Sequence, residues 1–321
     1  MKTRSKPRTK MVRRRRRSYK FKDLVSELPD DILHRIISSL SIDEALRTSI
    51  LSKRWIHLWK NAMHLDFDCT HMIKTLSKIA IISGVEIEKY GKIVNTVLNQ
   101  HIGNLTSCYF KHFAPSIWLG DLRTWVEFVV ERKKLTCLSL ECKTSIYVDS
   151  KIVKAAYDYL KPKLFSNLCS LELTNYKLKK TVLLAFQSCE KLKILKLKNI
   201  AMENSTINGI LKNCFGLEKF SLLDSNGFSS LKIENQNLKF LELLRLNVKE
   251  IYVNVDDLQV VVIDSIVCTP KGFRFYSQNL LSFSSTCNAQ GNSFLKTQDI
   301  LENCSDLLVS SLQIYYFLLW L

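Results

Sequence analysis

Apolar positions along this chain change their spacing twice. Between Leu28 and Trp59 they are helical: Leu33, Ile36, Ile37 and Leu40 recur at i, i+3, i+4 and i+7. Pro29 tolerates a first-turn position, and Asp30 and Asp31 complement the positive end of a helix dipole. Ser41 and Glu44 have capping-box spacing, which predicts a second helix from Ile42 to about Ile50. Ser52 can start a third, carrying Trp55, Leu58 and Trp59. From 67 to 134 the pattern is weak. Ile93, Val94, Val97 and Leu98 predict one short helix there, and Leu122 to Val130 predicts another.

From Leu135 a strand-type unit, L-x-x-L-x-L, repeats. It begins at Leu135, Leu168 and Leu192, then in looser form at Leu217, Leu238, Leu258 and Leu280, at steps of 33, 24, 25, 21, 20 and 22 residues. After the first step these are leucine-rich-repeat lengths. One such unit cannot bury its leucine edge alone, so the units must stack. Stacking predicts a solenoid with parallel strands on the concave side and helices or irregular segments on the convex side. Residues between the leucines then point out of the sheet. They include Ser139, Glu141, Glu172, Thr174, Lys196, Lys198, Lys219, Ser221, Glu242, Val262 and Asp264. Glu172, Lys196, Lys198, Lys219 and Glu242 are the candidate partner-binding set, and the adjacent lysines favour an acidic partner. Cys189, Cys214 and Cys304 each sit three residues before a leucine, which predicts buried packing positions and one more strand near Leu307.

The helical module at 24–59 holds more apolar side chains than so small a unit can bury. They pack against the rest of the chain or form a docking face.

The net charge is +17, but residues 1–22 hold twelve Lys/Arg and no acid. With those set aside it falls to +5, so the folded part is only mildly basic. The tail is too charged to fold. Its run Arg13, Arg14, Arg15, Arg16 and Arg17 suits nuclear import. The alternatives are a solvated tail with no reader and a nucleic-acid contact. Nucleic acid is disfavoured, since the tail has few aromatic residues, Tyr19 and Phe21, and no folded partner for groove or stacking contacts. Nucleus, cytoplasm or both are the expected compartments. No apolar h-region marks the N-terminus, and the ten cysteines include no C-x-x-C pair. Reduced, mostly buried thiols are expected. The closing stretch from Leu312 to Leu321 is too short to span a membrane. An exposed apolar end on a solenoid looks shortened or partner-dependent.

Phosphate-binding, nucleophile-elbow and zinc-protease motifs are absent. Cys69, His71, Cys108 and His112 are zinc ligands by type, but their spacing fits no structural site. No metal, cofactor or catalytic set is expected.

Leu28-Pro29-x-Asp31-Ile32-Leu33, with Ile36, Leu40, Leu51-Ser52-Lys53-Arg54-Trp55, Leu58-Trp59 and the following Leu65-Asp66-Phe67-Asp68, resembles an F-box. Together with the repeats, the chain resembles plant F-box/leucine-rich-repeat proteins of the FBD type. The resemblance implies an α/β architecture: a basic tail (1–22), a three-helix F-box (23–66), a helical connector (67–134) and a solenoid (135–321) that is shortened relative to relatives with a further C-terminal domain. It implies docking to the adaptor subunit of an SCF ligase and, through it, to cullin. By motif position Leu28, Pro29, Ile32, Leu33, Ile36, Leu51, Trp55 and Leu58 are the contact candidates. Sequence alone does not separate those that face the adaptor from those that fill the module's core. The repeats would recruit a target protein of unstated identity. The other readings are a basic-tailed nuclear nucleic-acid factor and a shortened member that recruits nothing.

Overall fold

The computed structural model describes residues 24–25, 27–73, 84–114, 121–143, 161–286 and 313–315. The arginine run, Cys304, the strand expected near Leu307 and most of the closing apolar stretch lie outside the described residues.

The N-terminal module is a tight helical cluster. Helix α1 spans Asp30–Ser38, with both acids in its first turn. Helix α2 spans Ile42–Arg47. It starts as its capping box predicts: the Ser41 amide donates to the Glu44 carboxylate at 3.3 Å. It ends earlier than expected, because Thr48–Ile50 tightens into a 3-10 turn. The third helix is a 3-10 helix, Trp55–Asn61. Leu33, Ile37, Ile42, Ala45, Trp55, Leu58 and Trp59 form the shared core.

The solenoid sheet begins at His64, well before Leu135. Strands β1 (His64–Asp68) and β2 (Ser107–Phe113) pair in parallel with each other, and β2 pairs with β3 (Cys137–Lys143). The stretch read as a helical connector therefore carries sheet as well as helix. Its helices α3 (Gly84–Gln100) and α4 (Asp121–Glu127) cover this end. Tyr90 from α3, Trp125 from α4 and Phe67, Phe110 and Phe113 from the strands form one aromatic cluster. Edge-on and offset ring pairs of this kind add roughly 0.5–1.5 kcal/mol each beyond area burial.

The sheet then runs through β4 (Ser170–Leu178), β5 (Ile194–Met202) and β6 (Lys219–Leu223). The short strand β7 (Ser230–Ile233) stands outside it, and β8 (Phe240–Leu244) rejoins it. Strand β9 (Glu250–Asn254) again stands outside, followed by β10 (Val260–Asp264), β11 (Phe273–Tyr276), β12 (Ser282–Thr286) and β13 (Gln313–Tyr315). The ten-stranded parallel sheet has the order β1-β2-β3-β4-β5-β6-β8-β10-β12-β13. Its inward leucines are fully buried: Leu171, Leu173, Leu195, Leu197, Leu241 and Leu243.

Repeat length decides what lies on the convex side. The two longer repeats after Leu168 place a 3-10 segment (Lys180–Leu184) and helix α5 (Asn204–Asn213) there. The shorter repeats place β7, β9 and β11, which form a second parallel sheet in the order β11-β9-β7. A strand advances about twice as far per residue as a helix, so it crosses the convex side with fewer residues. The convex side is thus partly helical, as expected, and partly a sheet that was not. The open edge of β7 is capped by asparagine side chains of α5. Asn204 Oδ1 accepts from Ser229 and Ser230, and Asn208 Oδ1 accepts from Lys232. Covering an edge in this way blocks unwanted strand pairing.

Candidate functional site

The contact candidates of the N-terminal module fall into two sets. Leu33, Trp55 and Leu58 are buried and hold the module together. Leu28 is half-buried against the same core. Ile32 (40%), Ile36 (36%) and Leu51 (60%) keep substantial exposure, and Pro29 is exposed. Arg54 ties the two exposed segments together. Its Nη2 donates to the Leu28 carbonyl at 2.7 Å and its Nε to Asp30 Oδ1 at 2.9 Å. The loop carrying Leu51 is thereby fixed beside the start of α1, where Pro29, Ile32 and Ile36 follow one helix face. Ile50, 88% exposed, belongs to this apolar face and was missed as a candidate. In a continuous α-helix Ile50 would lie about 80° from Ile42. The 3-10 turn rotates it to about 140°, away from the core.

The strand registers place outward side chains of the sheet in continuous rows. One row runs Asp66, Tyr109, Ser139, Glu172, Lys196, Ser221, Glu242, Val262, Ser284. The next runs Asp68, Lys111, Glu141, Thr174, Lys198, Leu223, Leu244, Asp264. Lys219 lies in a third row between Ile194 and Phe240. The five candidate residues therefore share one face. Two are already paired: Lys196 Nζ lies 3.4 Å from Glu172. The first strands carry a linked polar group. Tyr109 donates to Glu141 at 2.6 Å, and Lys111 lies 3.2 Å from Glu141 and 3.8 Å from Asp68. Burial, followed by the hydrogen bond to Glu141, holds the Tyr109 hydroxyl protonated well above the usual tyrosine range. Burial, then Asp68, raises the Asp66 carboxyl above the usual carboxylate range.

A second ladder runs along a bend in each repeat, inside β4 and β5 and just past the ends of β6, β8 and β10. Asn175, Asn199, Asp224, Arg245 and Ser265 all have left-handed φ values, from 51° to 66°. Each lies seven residues after its repeat's first leucine. Asn199 Nδ2 donates to Asn175 Oδ1 at 2.8 Å, and Asn175 Nδ2 to the Cys142 carbonyl at 3.0 Å. Farther along, the Arg245 guanidinium grips Asp224 with both Nε and Nη2. The recurring polar residue at this offset is the signal that could have revealed the ladder.

Of the eight described thiols six are buried, Cys137 is half-buried and Cys169 is exposed. Burial pushes Cys69 and Cys142 up to about 12, leaving little thiolate at neutral pH. Cys189 and Cys214 are buried at equivalent repeat positions, as predicted. His112 is committed elsewhere: Nε2 meets Tyr176 Oη at 2.6 Å and Nδ1 the Phe113 carbonyl at 2.9 Å. Among the described residues no cluster of three or more metal-ligand types forms. No described helix is long and apolar enough to cross a membrane.

Family comparison agrees with this layout. Residues 25–65 match the F-box domain model, and residues 151–272 match the repeat model of the FBD-associated F-box protein At5g56370. Among similar proteins of Arabidopsis thaliana, the putative F-box protein At1g67390 is 35% identical over 225 residues, covering 69% of this chain and 45% of the relative. F-box protein At3g60790 is 33% identical over 251 residues, covering 77% of this chain and 50% of the relative. F-box/FBD/LRR-repeat protein At3g52680 is 27% identical over 254 residues, covering 74% and 54%. The chain spans about half the length of the curated relatives it matches. The matched N-terminal module, the leucine-built sheet and these relatives together place the chain in the plant F-box/leucine-rich-repeat family.

Proposed function

We propose that this chain is a non-catalytic receptor subunit of an SCF-type cullin ubiquitin ligase. The F-box docks the adaptor subunit, which connects it to cullin, and the solenoid face recruits a target protein. The observation that carries the reading is the split of the F-box residues. An apolar face of Pro29, Ile32, Ile36, Ile50 and Leu51 stays exposed over a core that is already complete. Apolar side chains held out of a finished core are suited to a partner. The chemistry is one of effective concentration: a scaffold that holds target and ligase together makes transfer to target lysines local. The basic tail, through Arg13 to Arg17, would direct part of the protein to the nucleus.

Co-expression with an SCF adaptor and cullin tests the reading, followed by size-exclusion chromatography. A three-component peak containing this chain supports it. A folded, soluble chain that elutes alone contradicts it and favours the nucleic-acid reading of the basic tail.

A further inference from the structure

Resting on the receptor reading above, we infer that the outward sheet face is a polarised track for an extended target segment. That segment carries a basic side chain first, acidic side chains in the middle and apolar side chains last, in register with the strands from β1 toward β10.

Three zones on the face set this order. Strands β1 to β4 present Asp66, Asp68, Glu141 and Glu172, with the cations Lys111 and Lys143 among them. Strands β5 and β6 present Lys196, Lys198 and Lys219. Strands β8 and β10 present Phe240, Leu244, Val260 and Val262, all partly exposed where repeat alternation would put polar residues, and the carboxylates beside them, Glu242 and Asp264, both act on Arg245. The acidic zone also contains a cleft of ≈ 280 Å³ between the end of α1 and the first strands, lined by Ser38, His64, Asp66, Tyr109 and Glu172 among others. Asp66 Oδ1, in this zone, has no hydrogen-bond partner among the described residues. The carbonyl end of α1 adds negative potential beside the cleft. A lysine or arginine side chain has the charge and the size for it. Lys198 and Lys219 stand exposed and form none of the face's ion pairs among the described residues, so they are available to carboxylates.

The spacing follows from the sheet. Neighbouring strands lie about 4.8 Å apart, so β1 and β5 are separated by about 19 Å, which an extended segment covers in about six residues. From β6 to β10 is about 10 Å, or about three residues. A segment of about a dozen residues can therefore touch all three zones. Charge complementarity across such a face selects partners more than it tightens them, because wrongly placed like charges are penalised.

The test is selection from a random peptide library of about sixteen residues on the full chain held in complex with its adaptor. The expected outcome is enrichment of peptides with Lys or Arg about six residues from an Asp/Glu group, followed by an apolar group. Exchanging the basic and acidic positions within a selected peptide lowers affinity at least tenfold. The Lys198→Glu and Lys219→Glu double variant loses the acidic preference and gains affinity for the exchanged peptide. Enrichment without this order, equal binding of native and exchanged peptides, or no enrichment overturns the inference. So does self-association of the chain through this face in place of peptide binding. Adaptor retention is measured in the same samples. Its presence with a failed selection rejects the track alone, and its absence rejects the receptor reading.

Discussion

His112 lies inside the solenoid core, with both ring nitrogens engaged. Burial pulls its pKa down to about 4, from an ordinary 6.5. A histidine lowered in the folded state leaves stability intact above about pH 6.5, where both states are neutral. Stability is lost as pH falls below 6.5, because the unfolded chain takes up a proton that the folded chain refuses until about pH 4. Between pH 7.5 and 5.0 this one group removes about 2 kcal/mol, rising to about 3 kcal/mol near pH 4. His101 is shifted in the same direction, chiefly by burial, and adds to the loss. Urea unfolding followed by circular dichroism at pH 7.5 and 5.0 measures it. The His112→Gln variant is less stable at pH 7.5 because it is a poorer fit to Tyr176, yet it loses about 2 kcal/mol less than wild type on going to pH 5.0. Equal pH sensitivity in the two proteins would refute the assignment.

Three further outcomes are expected. Leu33→Ala destabilises the F-box by about 2–5 kcal/mol because Leu33 is fully buried, whereas Ile36→Ala changes stability by less than about 1 kcal/mol; thermal unfolding of both variants checks the division between core and face. At the ladder along the bends, Asn199→Val costs about 2–3 kcal/mol, from a β-branched residue forced to φ 51° and a lost hydrogen bond to Asn175, while Asn199→Gly stays within about 1 kcal/mol of wild type in urea titrations. Gly227→Ala destabilises by at least about 1 kcal/mol, since φ is +87° and an added Cβ would sit 2.7 Å from the Met202 carbonyl oxygen; an unchanged melting temperature would contradict it.

The repeats were legible because each inward leucine has no alternative to burial, so the L-x-x-L-x-L spacing survives even where Phe220 or Val261 replaces a leucine. Strand β2 was not legible. Its inward positions are Cys108, Phe110 and His112, which break the leucine pattern although the strand is equally buried. The convex sheet left a short period-2 trace in Leu231/Ile233, Ile251/Val253 and Phe273/Phe275. Those runs of four or five residues were hidden by the stronger repeat next to them. On the sheet face the charged candidates could be placed by alternation. The apolar Phe240 and Leu244 could not, because an outward leucine and an inward one read alike until register is known. In the F-box the motif gave the residues but not their directions. On α1 the pairs Leu33/Ile37 and Ile32/Ile36 lie only about 100° apart, so spacing alone does not say which pair is inward, and the 3-10 turn that exposes Ile50 has no spacing signature.

Docking of the adaptor on the exposed F-box face is open to direct measurement. Isothermal titration of purified adaptor into wild type and into the Ile36→Glu and Leu51→Glu double variant tests it most directly, with urea unfolding confirming that both chains are folded. Docking through this face predicts at least a hundredfold loss of affinity in the variant, about 2.7 kcal/mol, with unchanged stability of the solenoid. Equal affinity of the two folded proteins for the adaptor would contradict it.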